Sequence, residues 1–348
     1  MFICLSSGAR PRYREDVLRA LAMPEGSSVQ FRYDLKWVAP VIRDRLSGKD
    51  GKGTSCLIAY IDQSDPNKAP DLIPCRFATL LDAAVYGSTV SLVLTLHELA
   101  YAEDLVAFNN EMRSASAAVL PAWQPDKKLK GSYWFDTGQE LQTLVKSQAL
   151  AEWEKIVTQI AGRSDFQAES TFYTVEGIHR VAPSAVVSVR NGAYPLAPGQ
   201  EYELRFYHFH PTKEPVGSGL RVETGSQSLK FTTSQDLVLD SRYDLKRVRI
   251  RTSSPPLRQT AVLTILRKDS RQVDPNLDFD LRVEIKGAFW KTLGYGTVLG
   301  LLLATPQVAS ALSNPTLPAQ NIIVISVVST VVGVFTGIFA AFGLKTSL

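Results

Sequence analysis

Two long uncharged segments near the end of this 348-residue chain constrain its fold more than any other feature. Residues 292–312 are 21 residues without a charge, and residues 322–344 are 23 more. A helix needs about 20 mostly apolar residues to cross a hydrocarbon core of about 30 Å. The uncharged link at 313–318 contains an asparagine and two prolines, which favour a turn. The sequence therefore predicts a two-helix transmembrane hairpin within residues 286–348.

The charges are distributed unevenly between the hairpin and the rest of the chain. Three of the 38 lysines and arginines follow residue 285, and none of the 34 acidic residues does. The first 285 residues therefore carry 35 basic and 34 acidic side chains and are nearly neutral. A nucleic-acid partner is not expected, because nucleic-acid-binding domains have a basic excess.

The flanking lysines predict the topology. Lys286 and Lys291 flank the first span, Lys345 follows the second, and Trp290 fits an anchor at the membrane interface. Basic residues stay on the cytoplasmic side, so the neutral link is expected to cross. The first residues are too short an apolar run for a signal peptide. We expect a two-pass protein of the inner (plasma) membrane, with the soluble domains and the C-terminus in the cytoplasm.

The soluble part is predicted to be mainly β with some α, in two domains. Residues 1–165 contain short strands, enough for a small barrel or a curled sheet, and Tyr86-Gly87-Ser88 suggests a hairpin. Residues 140–161 place apolar side chains along one stripe, which predicts an amphipathic helical connector.

Residues 166–285 are predicted to form a β-sandwich-like domain. Short strands and turn signals alternate every 8–12 residues or so, as in immunoglobulin-like sandwiches. The last predicted strand, 279–285, runs almost directly into the first span. A connector this short would transmit motion of the sandwich to the membrane helices.

Glycines recur every four residues in both spans. Gly296 and Gly300 lie in the first span, and Gly333 and Gly337 in the second. Small residues at this spacing allow helix backbones to approach closely in lipid. The two rows either pack against each other within one hairpin or join neighbouring copies, and the sequence leaves both possibilities open.

Candidate binding residues in the soluble part are few. Arg247, Arg249 and Arg251 alternate onto one face of a predicted strand, where they could contact anionic lipid or an anionic ligand. His208 and His210 would share a face, but no third ligand lies nearby in sequence, so no metal site is predicted. Without a catalytic or phosphate-loop motif, neither a catalytic residue nor a cofactor is predicted.

In domain order the chain resembles prokaryotic defence effectors that join a cytosolic β-rich sensing module to two membrane helices. The resemblance lies in architecture alone. The absent catalytic motifs, the short connector and the paired glycine rows favour a non-enzymatic effector. Its module would sense a ligand or protein partner, and its hairpins would assemble as a homo-oligomer and perturb the inner membrane. The alternative is a passive membrane-tethered scaffold that recruits a cytosolic partner. A membrane-held enzyme would instead require a deep pocket lined by titratable groups.

Overall fold

A computed structural model describes residues 1–8, 10–40, 42–44, 52–63, 65, 67–117, 119–120, 124, 129, 131–137, 145–148, 153–166, 172–210, 218–268, 279–313 and 318–346. Strands in three sheets are followed by two long C-terminal helices. The prediction of a mainly β chain with a C-terminal helical hairpin is confirmed.

The first sheet is built from the N-terminal part of the chain. Its strands are β1 Phe2–Ser7, β2 Ser28–Asp34, β3 Ser55–Asp62, β4 Asp71–Tyr86, β5 Thr89–Tyr101, β6 Ser132–Asp136 and β7 Lys146–Gln148. Their order is β2-β5-β4-β3-β1-β6, and β7 pairs with β5. Gly87, with φ +58°, lies in the turn between the antiparallel strands β4 and β5, so the predicted hairpin is confirmed.

The first sheet curls until its two ends meet. Just beyond β2, Val38 bridges to Trp134 of β6, and the Ala39 amide donates to the Trp134 carbonyl at 2.9 Å. The enclosed core contains Phe31, Tyr33 and Cys4, each at most 1% exposed. The curvature follows from sheet twist together with one face that must be buried.

Helices α1 Pro11–Ala22, α2 Leu105–Ser116 and α3 Trp153–Ala161 pack on this sheet. The predicted helix over 140–161 is wrong in part, because Lys146–Gln148 is strand β7. β2 covers only the first half of the edge of β5, and β7 pairs with the exposed remainder at Leu99–Tyr101. Backbone pairing there outweighs the helical periodicity. Residues 140–144 and 149–152 lie outside the described residues.

Two five-stranded sheets follow and pack as a sandwich. One sheet consists of β13 Leu229–Phe231, β15 Tyr243–Thr252, β11 Glu201–Phe209, β8 Phe172–Arg180 and β9 Ala185–Val187. The other consists of β10 Tyr194–Leu196, β17 Phe279–Ile285, β16 Gln259–Lys268, β12 Ser218–Glu223 and β14 Asp236–Leu239. Alternate residues face the shared core, as in β17, where Leu281 and Val283 are buried while Asp280 and Arg282 are exposed.

The C-terminal hairpin consists of α4 Phe289–Leu312 and α5 Ala319–Thr346. The candidate spans are Thr292–Leu312 and Gln320–Ala341, with mean hydropathies of 1.3 and 2.5. Only 22% and 6% of these windows are buried within the molecule. Apolar helices this exposed differ from the core helices of a soluble protein, and their length and composition suit a bilayer.

Candidate functional site

A broad concave surface lies between the first sheet and the sandwich. Two adjoining depressions, of about 800 and 560 Å³, share Met23, Ser28, Gln30 and Asp280. We call them together the interdomain cleft. Its charged lining residues are Arg12, Asp16, Arg19, Arg32, Asp280 and Arg282.

Helix α1 and strand β2 form one wall of the interdomain cleft. In α1, Val17 and Leu21 face the core, whereas Arg12, Asp16 and Arg19 lie on the opposite side at helical spacing. In β2, the buried residues alternate with exposed Gln30 and Arg32, which face the cleft.

Strands β16 and β17 form the facing wall. Asp280 and Arg282 occupy the outward face of β17, and Thr264 of β16 donates its hydroxyl to Asp280 Oδ1 at 2.8 Å. Asp280 is therefore held in position across the strand pair. The described lining contains four arginines and two aspartates, so the cleft is electropositive.

Asp16 makes this charge depend on pH. Burial raises the pKa of its carboxyl to about 7, and the nearby charges of Arg19 and Arg12 only partly oppose that rise. Near neutral pH the carboxyl titrates. Since a protonated Asp16 leaves the arginines less compensated, the cleft becomes more positive as the pH falls.

The side chains that line the interdomain cleft can bind anionic groups. Among its described lining residues there is no histidine, cysteine or lysine, and serines Ser27 and Ser28 have no adjacent base there. Arginines spaced along a helix and a strand can bind phosphate or carboxylate groups through bidentate hydrogen bonds.

The predicted arginine face on β15 exists, but its charges are partly compensated. Arg247 Nε and Arg249 Nε lie 3.6 and 3.4 Å from the carboxylate oxygens of Glu203, and Arg251 Nη2 lies 3.9 Å from Glu201 Oε2. Burial raises the pKa of Glu203, but its hydrogen bond with Arg205 and the other arginine charges lower it more, giving a net decrease. A lipid or anion role for this face stays a prediction.

The glycines of the hairpin meet each other within one chain. A Cβ atom built on Gly300 would lie 2.3 Å from the Gly333 carbonyl oxygen, and one on Gly337 would lie 2.2 Å from the Gly296 oxygen. The sequence left open whether the glycine rows meet within one hairpin or between copies. In the structure, the rows of α4 and α5 pack against each other within one hairpin. An interface between copies would have to use other faces of α4 and α5.

The segment between the sandwich and α4 is fixed by backbone hydrogen bonds. The Lys286 amide donates to the Leu196 carbonyl at 3.0 Å, and the Ala288 amide donates to the Pro255 carbonyl at 2.7 Å. A Cβ on Gly287 would lie 2.7 Å from the carbonyl carbon of Leu257, so the backbones touch. We call Lys286–Ala288 the connector.

The other predicted interface residues, Trp290, Lys291 and Lys345, belong to α4 and α5. The side chains of Trp290, Lys291 and Lys345 lie outside the described side chains.

His208 Nε2 and His210 Nε2 contact the carbonyl oxygens of Ser241 and Leu239 at 2.9 and 3.1 Å. Among the described residues, no group of three or more His, Cys, Asp or Glu side chains could hold a metal ion.

Sequence reasoning missed the cleft residues. Arg12, Asp16 and Arg19 are spaced by four and three residues, which placed them on one helix face, but the same spacing is typical of any solvated face. Asp280 and Arg282 follow more than two hundred residues later. No local pattern could indicate that β17 faces α1.

Comparisons with known proteins show only weak structural likeness. No protein-family model matches the chain, and no curated protein is significantly similar to it in sequence. Among solved structures, a Bacteroides ovatus GH5 xyloglucanase in complex with a XXXG heptasaccharide is 13% identical over 29% of this chain and 19% of that chain, with a TM-score of 0.18. The periplasmic chaperone SfaE is 9% identical over 28% of this chain and 56% of that chain, with a TM-score of 0.21.

A FixG-related protein from Vibrio parahaemolyticus is 9% identical over 35% of this chain and 99% of that chain, with a TM-score of 0.21. The chain spans less than two thirds of the xyloglucanase and of the chaperone. TM-scores this low support no inference about fold or function.

Proposed function

We propose that this chain is a two-pass membrane protein whose β-rich module binds an anionic ligand in the interdomain cleft and transmits that binding to the transmembrane hairpin. One observation carries the proposal. Strand β17 contributes Asp280 and Arg282 to the cleft and continues through the connector into α4 at Phe289. A ligand held at the cleft would therefore act on the strand that enters the membrane.

The connector makes this coupling mechanical. Its two backbone hydrogen bonds and the close contact at Gly287 fix the start of α4 rigidly to the sandwich. A small shift of β17 on ligand binding would therefore move the start of α4. Small shifts are transmitted where packed elements cannot deform continuously.

The proposed location is the inner (plasma) membrane, with the soluble module in the cytosol. The lysines that flank the spans and the uncharged link support this orientation. The proposed activity is binding and not catalysis, because the described cleft lining offers arginines and carboxyls without a nucleophile–base pair.

The proposed output is assembly of hairpins and perturbation of the membrane, as in the defence effectors that the domain order resembles. Because the four glycines are used within the hairpin, assembly would use its outward faces. Phe335 and Phe339, which are 60% and 75% exposed, lie on one such face.

Expression in bacteria tests the proposal. The full chain and a version ending at Ile285 are produced in cells whose membrane potential is followed with a dye, with and without phage infection. We expect depolarisation by the full chain only. Depolarisation by the shortened chain, or by neither in any condition, would contradict the effector role.

Two variants test the coupling separately. Gly287→Ala forces the connector away from Leu257, whereas Gly225→Ala meets no atom within 4 Å and is the matched control. We expect Gly287→Ala to abolish depolarisation or to make it independent of ligand binding in the cleft. The control should behave like wild type. A Gly287→Ala protein that is folded, membrane-inserted and fully active would contradict mechanical coupling.

A scaffold is the second candidate, and one observation favours it. Leu81, Val85 and Tyr86 near the β4–β5 turn are 45%, 48% and 68% exposed, a group of apolar side chains that a protein partner could cover. Replacing residues 286–348 with an unrelated membrane hairpin distinguishes the two candidates. Preserved function would favour the scaffold, and lost function would favour the effector.

A further inference from the structure

A second cavity lies beside the connector, at the end of the sandwich from which α4 departs. It has a volume of about 480 Å³ and is lined by the end of β8, by β9 and the segment that follows it, by β10, by the residue before β16 and by the end of β17. We call it the connector pocket and define it by Arg180, Arg190, Pro195, Arg258, Glu284 and Lys286. Pockets of about 300–1,000 Å³ are typical of small-ligand sites.

The connector pocket is strongly basic. Four of its lining residues are cationic, and Glu284 is its only described carboxylate. Glu284 pairs with Arg258. Among the described residues, no carboxylate lies within ion-pair distance of Arg180, Arg190 or Lys286. This contrasts with the β15 arginines, which share Glu203 and Glu201.

The position of the pocket places this charge near the bilayer. Lys286 precedes the start of the candidate span, Thr292, by six residues. Three extended and three helical residues cover at most about 15 Å. The interfacial layer on each side of the hydrocarbon core is about 5–8 Å thick. The long side chains of Lys286 and Arg258, beside the connector, can reach into that layer.

We propose that the connector pocket binds the phosphate of an anionic phospholipid headgroup. Lysine and arginine side chains near an anionic leaflet are attracted to its lipid headgroups, and a pocket concentrates several of them around one phosphate. Arginine guanidinium groups also match phosphate oxygens geometrically. A bound headgroup would tie the sandwich to the membrane surface at the point where the connector enters it. The site is distinct from the interdomain cleft. This inference rests on the proposed insertion of the hairpin in the inner membrane but not on what the cleft binds.

Lipid retention by the full chain tests this proposal. The purified protein is equilibrated in detergent micelles with equal amounts of phosphatidylglycerol and phosphatidylcholine, and retained lipid is counted by native mass spectrometry. The pocket variant is Arg180→Gln/Arg190→Gln/Lys286→Gln. The matched control, Lys52→Gln/Lys68→Gln/Lys146→Gln, removes the same charge from exposed lysines of the first sheet region.

We expect wild type and control to retain phosphatidylglycerol preferentially and the pocket variant to lose that preference by about tenfold or more. Equal retention by the pocket variant and the control would overturn the proposal. Complete displacement of the lipid by millimolar inorganic phosphate would also overturn it, because the pocket would then take soluble phosphate. Should the triple variant fail to fold, Arg190→Gln alone, in an exposed turn, provides the same comparison with Lys68→Gln.

Discussion

The guanidinium of Arg76 is buried where β4, β5 and the end of α1 meet, and carbonyl oxygens hold it in place. Its Nη1 donates to the carbonyls of Ala20 and Met23 at 2.9 and 2.6 Å, and its Nε donates to the His97 carbonyl at 2.7 Å. Burial lowers its pKa to about 10, so it stays charged at neutral pH. The C-terminal end of a helix carries partial negative charge that suits a cation.

Replacing Arg76 is expected to destabilise the first sheet. Arg76→Met leaves three carbonyls without this donor, two of them in buried hydrogen bonds, which should lower the free energy of unfolding by about 3 kcal/mol or more. Urea denaturation of the full chain in micelles, followed by circular dichroism, measures the change. Arg113→Met, at an exposed ion pair with Asp71, is the control and should cost less than about 1 kcal/mol. Equal losses in the two variants would refute the role of Arg76.

Because the pKa of Asp16 is raised, we expect the stability of the protein to depend on pH. Its pKa is about 7 in the folded protein, above its ordinary value near 3.8, so the folded state binds the proton more tightly. The contribution of Asp16 to stability is therefore fully present below pH 4 or so and declines until about pH 7. Asp16→Asn should raise the melting temperature relative to wild type at pH 8 but much less at pH 5.

Glu15→Gln, which changes the neighbouring carboxyl on α1, is the control for this measurement. It should not reproduce the difference between pH 5 and pH 8. A constant offset of Asp16→Asn from wild type at both pH values would contradict the assignment, since it would show that Asp16 does not titrate in this range.

At the scale of elements, the hairpin depends on glycines where α4 and α5 cross. Gly300→Leu would push side-chain atoms into the backbone of Gly333 and Val334, whereas Gly294→Leu meets no atom within 4 Å of its Cβ. We expect Gly300→Leu to separate the helices and Gly294→Leu to leave them paired. Titration of the full chain with sodium dodecyl sulfate measures this, and an unchanged unfolding midpoint for Gly300→Leu would count against tight packing.

At the scale of the whole molecule, the two soluble parts share one apolar cluster. Leu18 and Leu21 of α1, Trp153 of α3 and Phe166 pack with Phe172 of β8, and all are at most 6% exposed. Such an interface resembles a domain core more than a mobile hinge. The first sheet and the sandwich should therefore unfold together.

Phe172→Ala tests this cooperativity. Removing a buried phenyl ring should cost about 3–5 kcal/mol. Hydrogen exchange of the full chain, read by mass spectrometry, should show faster exchange in both β3 and β11. Val238→Ala, at a side chain that is 66% exposed, is the control and should change neither. Faster exchange in the sandwich alone would show that the two parts unfold independently.

The sequence by itself predicted the hairpin and the alternating strands of the sandwich, because solvent or lipid contact imposes a pattern on neighbouring residues. It could not predict that Lys146–Gln148 would complete the edge of β5, since that pairing depends on where β2 ends. It also left open which backbones the glycine rows would meet.

Only the tertiary structure brings together the residues of the interdomain cleft and of the connector pocket. Asp16 and Asp280 lie in one cleft because α1 packs against the sandwich. Arg180 and Lys286 line one pocket because the end of β8, in one sheet, and the end of β17, in the other, lie at the same end of the sandwich. A local sequence pattern indicates only whether a segment faces solvent, lipid or the protein core. Sites built from distant segments depend on the packing of the whole chain, which no local pattern specifies.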